Sequence, residues 1–157
     1  MRSIEEIMSR KIITIDANAK ISDAAKELAK HEIGSLIVTS AKNTVGIVTE
    51  RDIAYKYVAK EKYKTDKDAT VKDIMNSNLI TQSLDDNLNI MDVIVLMDEQ
   101  KIRHVCITKK GKIVGILADM DIFKELSATY INSYKKIDNI KEMIRQKKRK
   151  EQQSKKR

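Results

Sequence analysis

Residues 46–53 read GIVTERDI, and residues 115–122 read GILADMDI. The first phrase sets a hydroxyl, Thr49, three residues before a carboxylate, Asp52, with the guanidinium of Arg51 between them. The second keeps the glycine, the apolar pair and the closing Asp121-Ile122, but places Ala118 where the hydroxyl stood. A hydroxyl-x-x-acid spacing has two uses. It can close a capping box, in which side chain and backbone satisfy each other at a helix start. It can also offer an acceptor carboxylate and free N–H groups, at the positive end of a helix dipole, to a bound ligand. The sequence shows no nucleophile paired with a base and no glycine-rich phosphate loop, so the expected role is binding, not catalysis.

Other reactive side chains are sparse. His31 lies near the end of a helical pattern and His104 opens a strand-like run; with Cys106 as the single cysteine they form no metal-ligating set. Cys106 alternates with His104 and Thr108, which reads as a buried structural thiol. A lone cysteine fits a reducing compartment, here the cytoplasm. The N-terminus has no apolar signal core, and the most apolar run, IMDVIVLM, is too short to span a membrane. Asp85-Asp86 reads as a solvated loop that could also meet a cation. Residues 147–157, KKRKEQQSKKR, hold seven basic residues and one acid, so most of the formal +8 sits in that tail. A solvated, disordered tail is expected there, with contact to nucleic acid or another polyanion as the alternative.

The elements that must position the two phrases also come in duplicate. Ser3-Ile-Glu-Glu6 and Thr70-Val-Lys-Asp73 are hydroxyl-x-x-acid starts for short helical turns. Strands are expected over IITI (12–15) and LITQ (79–82). Amphipathic helices follow, one with Ile21, Ala24, Ala25, Leu28 and Ala29 on a face, the other with Ile90, Val93, Ile94 and Met97. Each half then has two apolar runs joined by a polar turn, with Gly111 turning the second hairpin. A last helix opens at each phrase, near 53–60 and 122–130. The order turn–strand–helix–strand–strand–helix occurs twice, at an offset of 67 that becomes 69 past a two-residue insertion near Asp85-Asp86. The reading is an α/β (α+β) fold with repeats over 1–66 and 67–128, an amphipathic helix over 129–146 and a basic tail over 147–157. Half a chain of this length buries too little surface to stand alone, so the halves are expected to pack as a pseudo-twofold pair around a cleft.

Paired openings (IEEIM…IITI and VKDIM…LITQ) and paired glycine-apolar-apolar-x-x-x-Asp phrases resemble a tandem of CBS domains, a Bateman module, over roughly residues 1–128. The resemblance implies a non-catalytic regulatory protein binding adenine nucleotide (AMP, ADP or ATP), ahead of S-adenosylmethionine, between paired repeats. Carried over residue by residue, it implies a first site of Thr14, Ile15, Ser35, Thr49, Arg51 and Asp52. The second site would use Thr81, Arg103, His104, Asp119 and Asp121, without the hydroxyl. Within that reading the carboxylates accept from ribose hydroxyls, Arg51 and the helix start meet phosphate, and apolar residues near Ile15 and Ile47 flank the base. The family also implies a homodimer through the phrase helices. A nucleic-acid-associated protein, with the pair as scaffold and the tail as contact, is the competing reading.

Overall fold

The computed structural model describes residues 1–60 and 69–154, with side chains as far as Lys147. The expected boundary at 66/67 lies outside the described residues. The first copy runs α1 Ile4–Ile7, β1 Thr14–Asp16, α2 Ile21–His31, β2 Ser35–Ser40, β3 Asn43–Thr49 and α3 Glu50–Asp52, which continues as a π-helix over Ile53–Val58. The second runs a 3-10 turn Val71–Asp73, β4 Thr81–Ser83, a 3-10 turn Leu84–Asp86, α4 Ile90–Gln100, β5 His104–Lys109, β6 Lys112–Ala118 and α5 Asp119–Ser154. Each copy contributes a three-stranded sheet, β1-β2-β3 or β4-β5-β6, with the first pair parallel and the second antiparallel.

Alternation along the strands builds three layers of core. Leu36, Val38 and Val48 face α2, as Val105, Ile107 and Leu117 face α4. The residues between them, Ile37, Ile47, Cys106 and Ile116, meet one another between the two sheets. Successive side chains on a strand point to opposite faces, so central strands covered on both faces read as continuous apolar runs. Cys106 is 1 % exposed, and burial pushes its thiol up to about 11, which makes it an inert packing group. Both hairpins turn on two left-handed residues, Ala41-Lys42 and Lys110-Gly111.

The openings do not stay with their own repeats. Ile4 and Met8, from the start of the chain, are buried in the second core with Ile90, Val93 and Leu117. Val71 and Ile74, from the start of the second repeat, are buried in the first core with Leu36 and Val48. Backbone hydrogen bonds tie the crossings down: Ser9 exchanges a pair with Ile116, at 2.9 Å each, and Asn76 exchanges one with Ile47, at 2.8 and 3.0 Å. A buried aliphatic side chain contributes about 1.5–3 kcal/mol. Withdrawing Val71 and Ile74 from the first core would therefore remove much of the margin of a small domain.

Several local expectations change. The strands begin two residues later than expected, at Thr14 and Thr81, because Ile12 and Leu79 pack toward the layer between the sheets instead of pairing. Ala25 and Ala29 are exposed, leaving Ile21, Ala24 and Leu28 as the buried stripe of α2. The separate helix over 129–146 and the disordered tail from 147 are replaced by one helix, α5, that continues from the second phrase to Ser154. Its Lys, Arg, Gln and Glu residues are all good helix formers. Residues 155–157 lie outside the described residues.

The phrase glycines lie where the openings cross. A Cβ on Gly46 would stand 2.5 Å from the Asn76 carbonyl oxygen, and one on Gly115 would stand 2.6 Å from Met8 Sδ and 2.9 Å from the Ser9 oxygen. Gly46→Ala should destabilise by about 1–3 kcal/mol, because the Asn76 backbone must move. Gly115→Ala should cost somewhat less, because Met8 can swing and the Ser9 backbone oxygen, at 2.9 Å, needs a smaller shift. Denaturant unfolding of both variants checks this; a neutral Gly46→Ala would mean the crossing is not tight.

Candidate functional site

Because each opening crosses to the opposite sheet, the grooves between the repeats have walls of mixed origin. One cleft, about 640 Å³, has Thr49, Arg51, Asp52 and Lys56 of the first repeat on one side. Its other side is Asn76–Ile80 and Lys101–His104 of the second. The other cleft, about 790 Å³, sets Asp119, Asp121 and Lys124 against Ser9, Lys11 and Glu32–Ser35. Arg103 and His104 line both.

Asp52 is the most constrained polar group in the first cleft. Its carboxylate accepts from the Thr49 N–H at 2.9 Å and the Thr49 hydroxyl at 2.6 Å, while Thr49 Oγ1 accepts from the Asp52 N–H at 3.2 Å. This is the capping box read from the sequence. Two further partners were not legible there. Lys56 Nζ pairs with Asp52 Oδ1 at 2.8 Å, and the Asn76 side-chain amide donates to both carboxylate oxygens, at 3.1 and 3.2 Å. Lys56 also donates to the Ile74 carbonyl and to Asn76 Oδ1, so it staples the incoming opening to the phrase helix. Lys56 stands four residues after Asp52, a spacing that permits pairing. Asn76 carries no sequence signal, since only the crossing brings it near. With Asp52 buried and paired to Lys56, the lining residues Arg51, Lys101 and Arg103 leave the cleft cationic, Lys101 pairing at its rim with Asp98 at 3.0 Å. Arg51 lies over the Tyr55 ring at 5.4 Å, and Arg103 pairs with Glu50 at 2.9 Å.

The second cleft is built differently. With Ala118 in the phrase, Asp121 accepts from the Ala118 N–H at 3.1 Å, its one hydrogen bond among the described residues. At the position matching Lys56 stands Glu125, buried and turned away to bind the Arg2 N–H at 2.7 Å and Nε at 2.8 Å. Asp121 thus has no lysine staple; Glu32 and Asp119 add acid to the same cleft, set against Lys11 and Lys124, while Glu50 is taken by Arg103.

The structure regroups the residues named from sequence. Thr49, Arg51 and Asp52 stay together, joined by Arg103 and His104 from the other repeat. Ser35 lines the cleft of Asp119 and Asp121 instead. Ile15 is buried in the first core, and Thr14 and Thr81, exposed at their strand starts, line neither cleft. Among the described residues, no three His, Cys, Asp or Glu side chains could hold a metal ion together, and no helix is long and apolar enough to cross a membrane.

His104 sits between the clefts, packed against Gly34 so closely that a Cβ there would lie 2.9 Å from its Nε2. Burial holds the imidazole below its ordinary 6.5, against the opposing pull of Asp119. The folded state therefore takes up this proton less readily than the unfolded chain. The stabilisation is complete above the unfolded value and is lost as pH falls through the lower folded one. Melting temperature should drop as pH falls below about 6.5, and His104→Gln should flatten that slope. A slope unchanged by the substitution would assign it to other groups.

Comparison with known proteins agrees with this architecture. The CBS domain profile matches twice, over residues 4–59 and 71–128. The CBS domain-containing protein YhcV of Bacillus subtilis is 29% identical over 122 residues, covering 78% of this chain and 84% of that one. A putative signal-transduction protein with CBS domains from Burkholderia ambifaria superposes with a TM-score of 0.73 at 28% identity, covering 81% of this chain and 95% of that one. The CBS domain pair of protein MJ0100, solved with 5′-methylthioadenosine and S-adenosyl-L-methionine, gives 0.69 at 30% identity, covering 82% and 98%. With two matched repeats, crossed openings and a cleft on each side, the chain belongs to the CBS domain family as a tandem pair.

Proposed function

We propose that this chain is a cytoplasmic, non-catalytic sensor that binds an adenine nucleotide, AMP, ADP or ATP, in the first cleft. The observation that carries this reading is charge. Four cationic side chains, Arg51, Lys56, Lys101 and Arg103, line a groove with one lining acid, Asp52. Lys56 pairs with Asp52, while Lys101 and Arg103 are held by the exposed acids Asp98 and Glu50, from which a phosphate can draw them. Phosphate is bound well by such groups, above all by arginine. Ile47, Met75, Leu79, Ile80 and Ile102 supply an apolar wall for a base. The ligands of the MJ0100 pair support an adenosine-shaped groove in the family. A sulfonium would carry positive charge into this one, which places nucleotide ahead of S-adenosylmethionine here. The second cleft, acidic and without the Thr hydroxyl, should bind nucleotide more weakly or take a less anionic ligand. Exposed Tyr55, Val58, Met120, Phe123 and Leu126 on the phrase helices favour a homodimer.

Calorimetric titration with ATP and adenosine tests the reading. Arg51 and Lys101 are exposed, so Arg51→Ala and Lys101→Ala should leave the fold intact. Each should weaken ATP roughly 10- to 100-fold, about 1.5–3 kcal/mol, while adenosine changes little. Asp52→Ala should weaken both ligands if the carboxylate exchanges a partner for ribose, whereas Asp121→Ala should leave the tight site alone. Equal losses in the two Asp variants, or none, would contradict the assignment. The competing nucleic-acid reading rests on the basic end of α5; binding that collapses steeply with salt and needs only that end would favour it.

A further inference from the structure

α5 is 36 residues long, roughly 54 Å, yet only its first turns are held by the module. Ile122 and Glu125 are buried, whereas every residue from Tyr130 to Lys147 is exposed. A projecting helix of this kind is marginal in water without a partner. Six of its ten exposed large apolar residues follow a seven-residue repeat, and Met120, Ile131, Tyr134 and Met143 lie off it. Phe123, Tyr130, Ile137 and Ile144 form one row, and Leu126 and Ile140, three residues on, start a second. These six are between 38% and 71% exposed. Ser133 and Lys147 complete the second row, and Met91 and Val95 lie exposed on α4, which packs against the start of α5. Such a seam, apolar throughout its first row and at two of four positions in its second, is of the kind that pairs in a two-stranded coiled coil.

We infer that α5 pairs with α5 of a second copy of this chain, and that the two helices run antiparallel. The inference rests on the homodimer reading above and specifies its surface. Charge selects the direction. In a parallel pair, Lys147 would face its own copy and Lys136 would face Lys141 of the copy. In an antiparallel pair the rows interlock as Phe123 with Lys147, Leu126 with Ile144, Tyr130 with Ile140 and Ser133 with Ile137. Lys136 then meets like charge once, at Lys136 of the copy, where the parallel pair makes two Lys136–Lys141 contacts. That register sets Lys147 against Phe123, one turn from Asp119, where a parallel pair would set it against another lysine. Favourable charge placed along the seam sets partner orientation.

Light scattering on the full chain should give twice its 18.0 kDa at micromolar concentration, and Ile137→Asp/Ile140→Asp should give the monomer with the module's unfolding unchanged. Orientation is read by oxidising Tyr130→Cys and Ile140→Cys proteins, separately and mixed; the native Cys106 is buried and does not interfere. Antiparallel pairing links the two variants to each other, and each alone stays unlinked. Self-linking of each variant would overturn the direction. A dimer that survives the double aspartate variant and gives no link would overturn the α5 seam while leaving the homodimer reading intact. A monomeric wild type would overturn both.

Discussion

The exchange of openings between the repeats is the constraint on which the rest of the molecule depends. Val71 and Ile74 complete the core under the first sheet, and Ile4 and Met8 complete the core under the second. Neither half buries a finished core from its own residues, so the two fold as one unit in spite of the duplicated sequence. The same crossing explains the first letter of the repeated phrase. Gly46 and Gly115 are the points at which the visiting backbone passes too close for a side chain. It also explains the clefts, because a segment lying along the opposite sheet delivers its following residues to the opposite phrase helix.

Asymmetry enters through a few side chains on this symmetric frame. In the first half, Asp52, Lys56 and Asn76 make a closed network linking the phrase helix to the visiting segment. The π-helical stretch Ile53–Val58 carries Lys56 at the edge of this network, a place where helix irregularities often serve function. In the second half the corresponding positions are Asp121, Glu125 and Ser9, and the acid pairs with Arg2 instead. That change secures the chain's N-terminus to α5 and leaves Asp121 open toward its cleft. One groove is consequently cationic, and the other, with four acids against three bases, carries a small acidic excess.

Much of this was legible in the sequence because it is local. The cap at Thr49-Asp52, the stripe of Ile21, Ala24 and Leu28, and the hairpin turning at Gly111 each follow from spacing within one element. The grouping of the site was not, because it was read within each repeat while the structure assembles it between them. Ser35 shares a cleft with Asp121, not with Asp52, and Thr14 and Thr81 stand outside both grooves. Asn76 was invisible for the same reason: a polar residue gains meaning only from the carboxylate that a crossing brings to it. The expected break of α5 at 128/129 came from reading the end of the repeat as the end of its helix, yet Ser127-Ala128-Thr129 holds neither Gly nor Pro, and helix-forming side chains simply carry on.

On the proposed function, a nucleotide in the first cleft is held by both repeats at once. Amide hydrogen exchange, with and without saturating ATP, tests it most directly. Protection should rise together over residues 49–56, 76–80 and 101–104 and leave the strand starts at Thr14 and Thr81 unchanged. Protection confined to one repeat, or centred on Thr14, Ile15 and Ser35, would contradict the account.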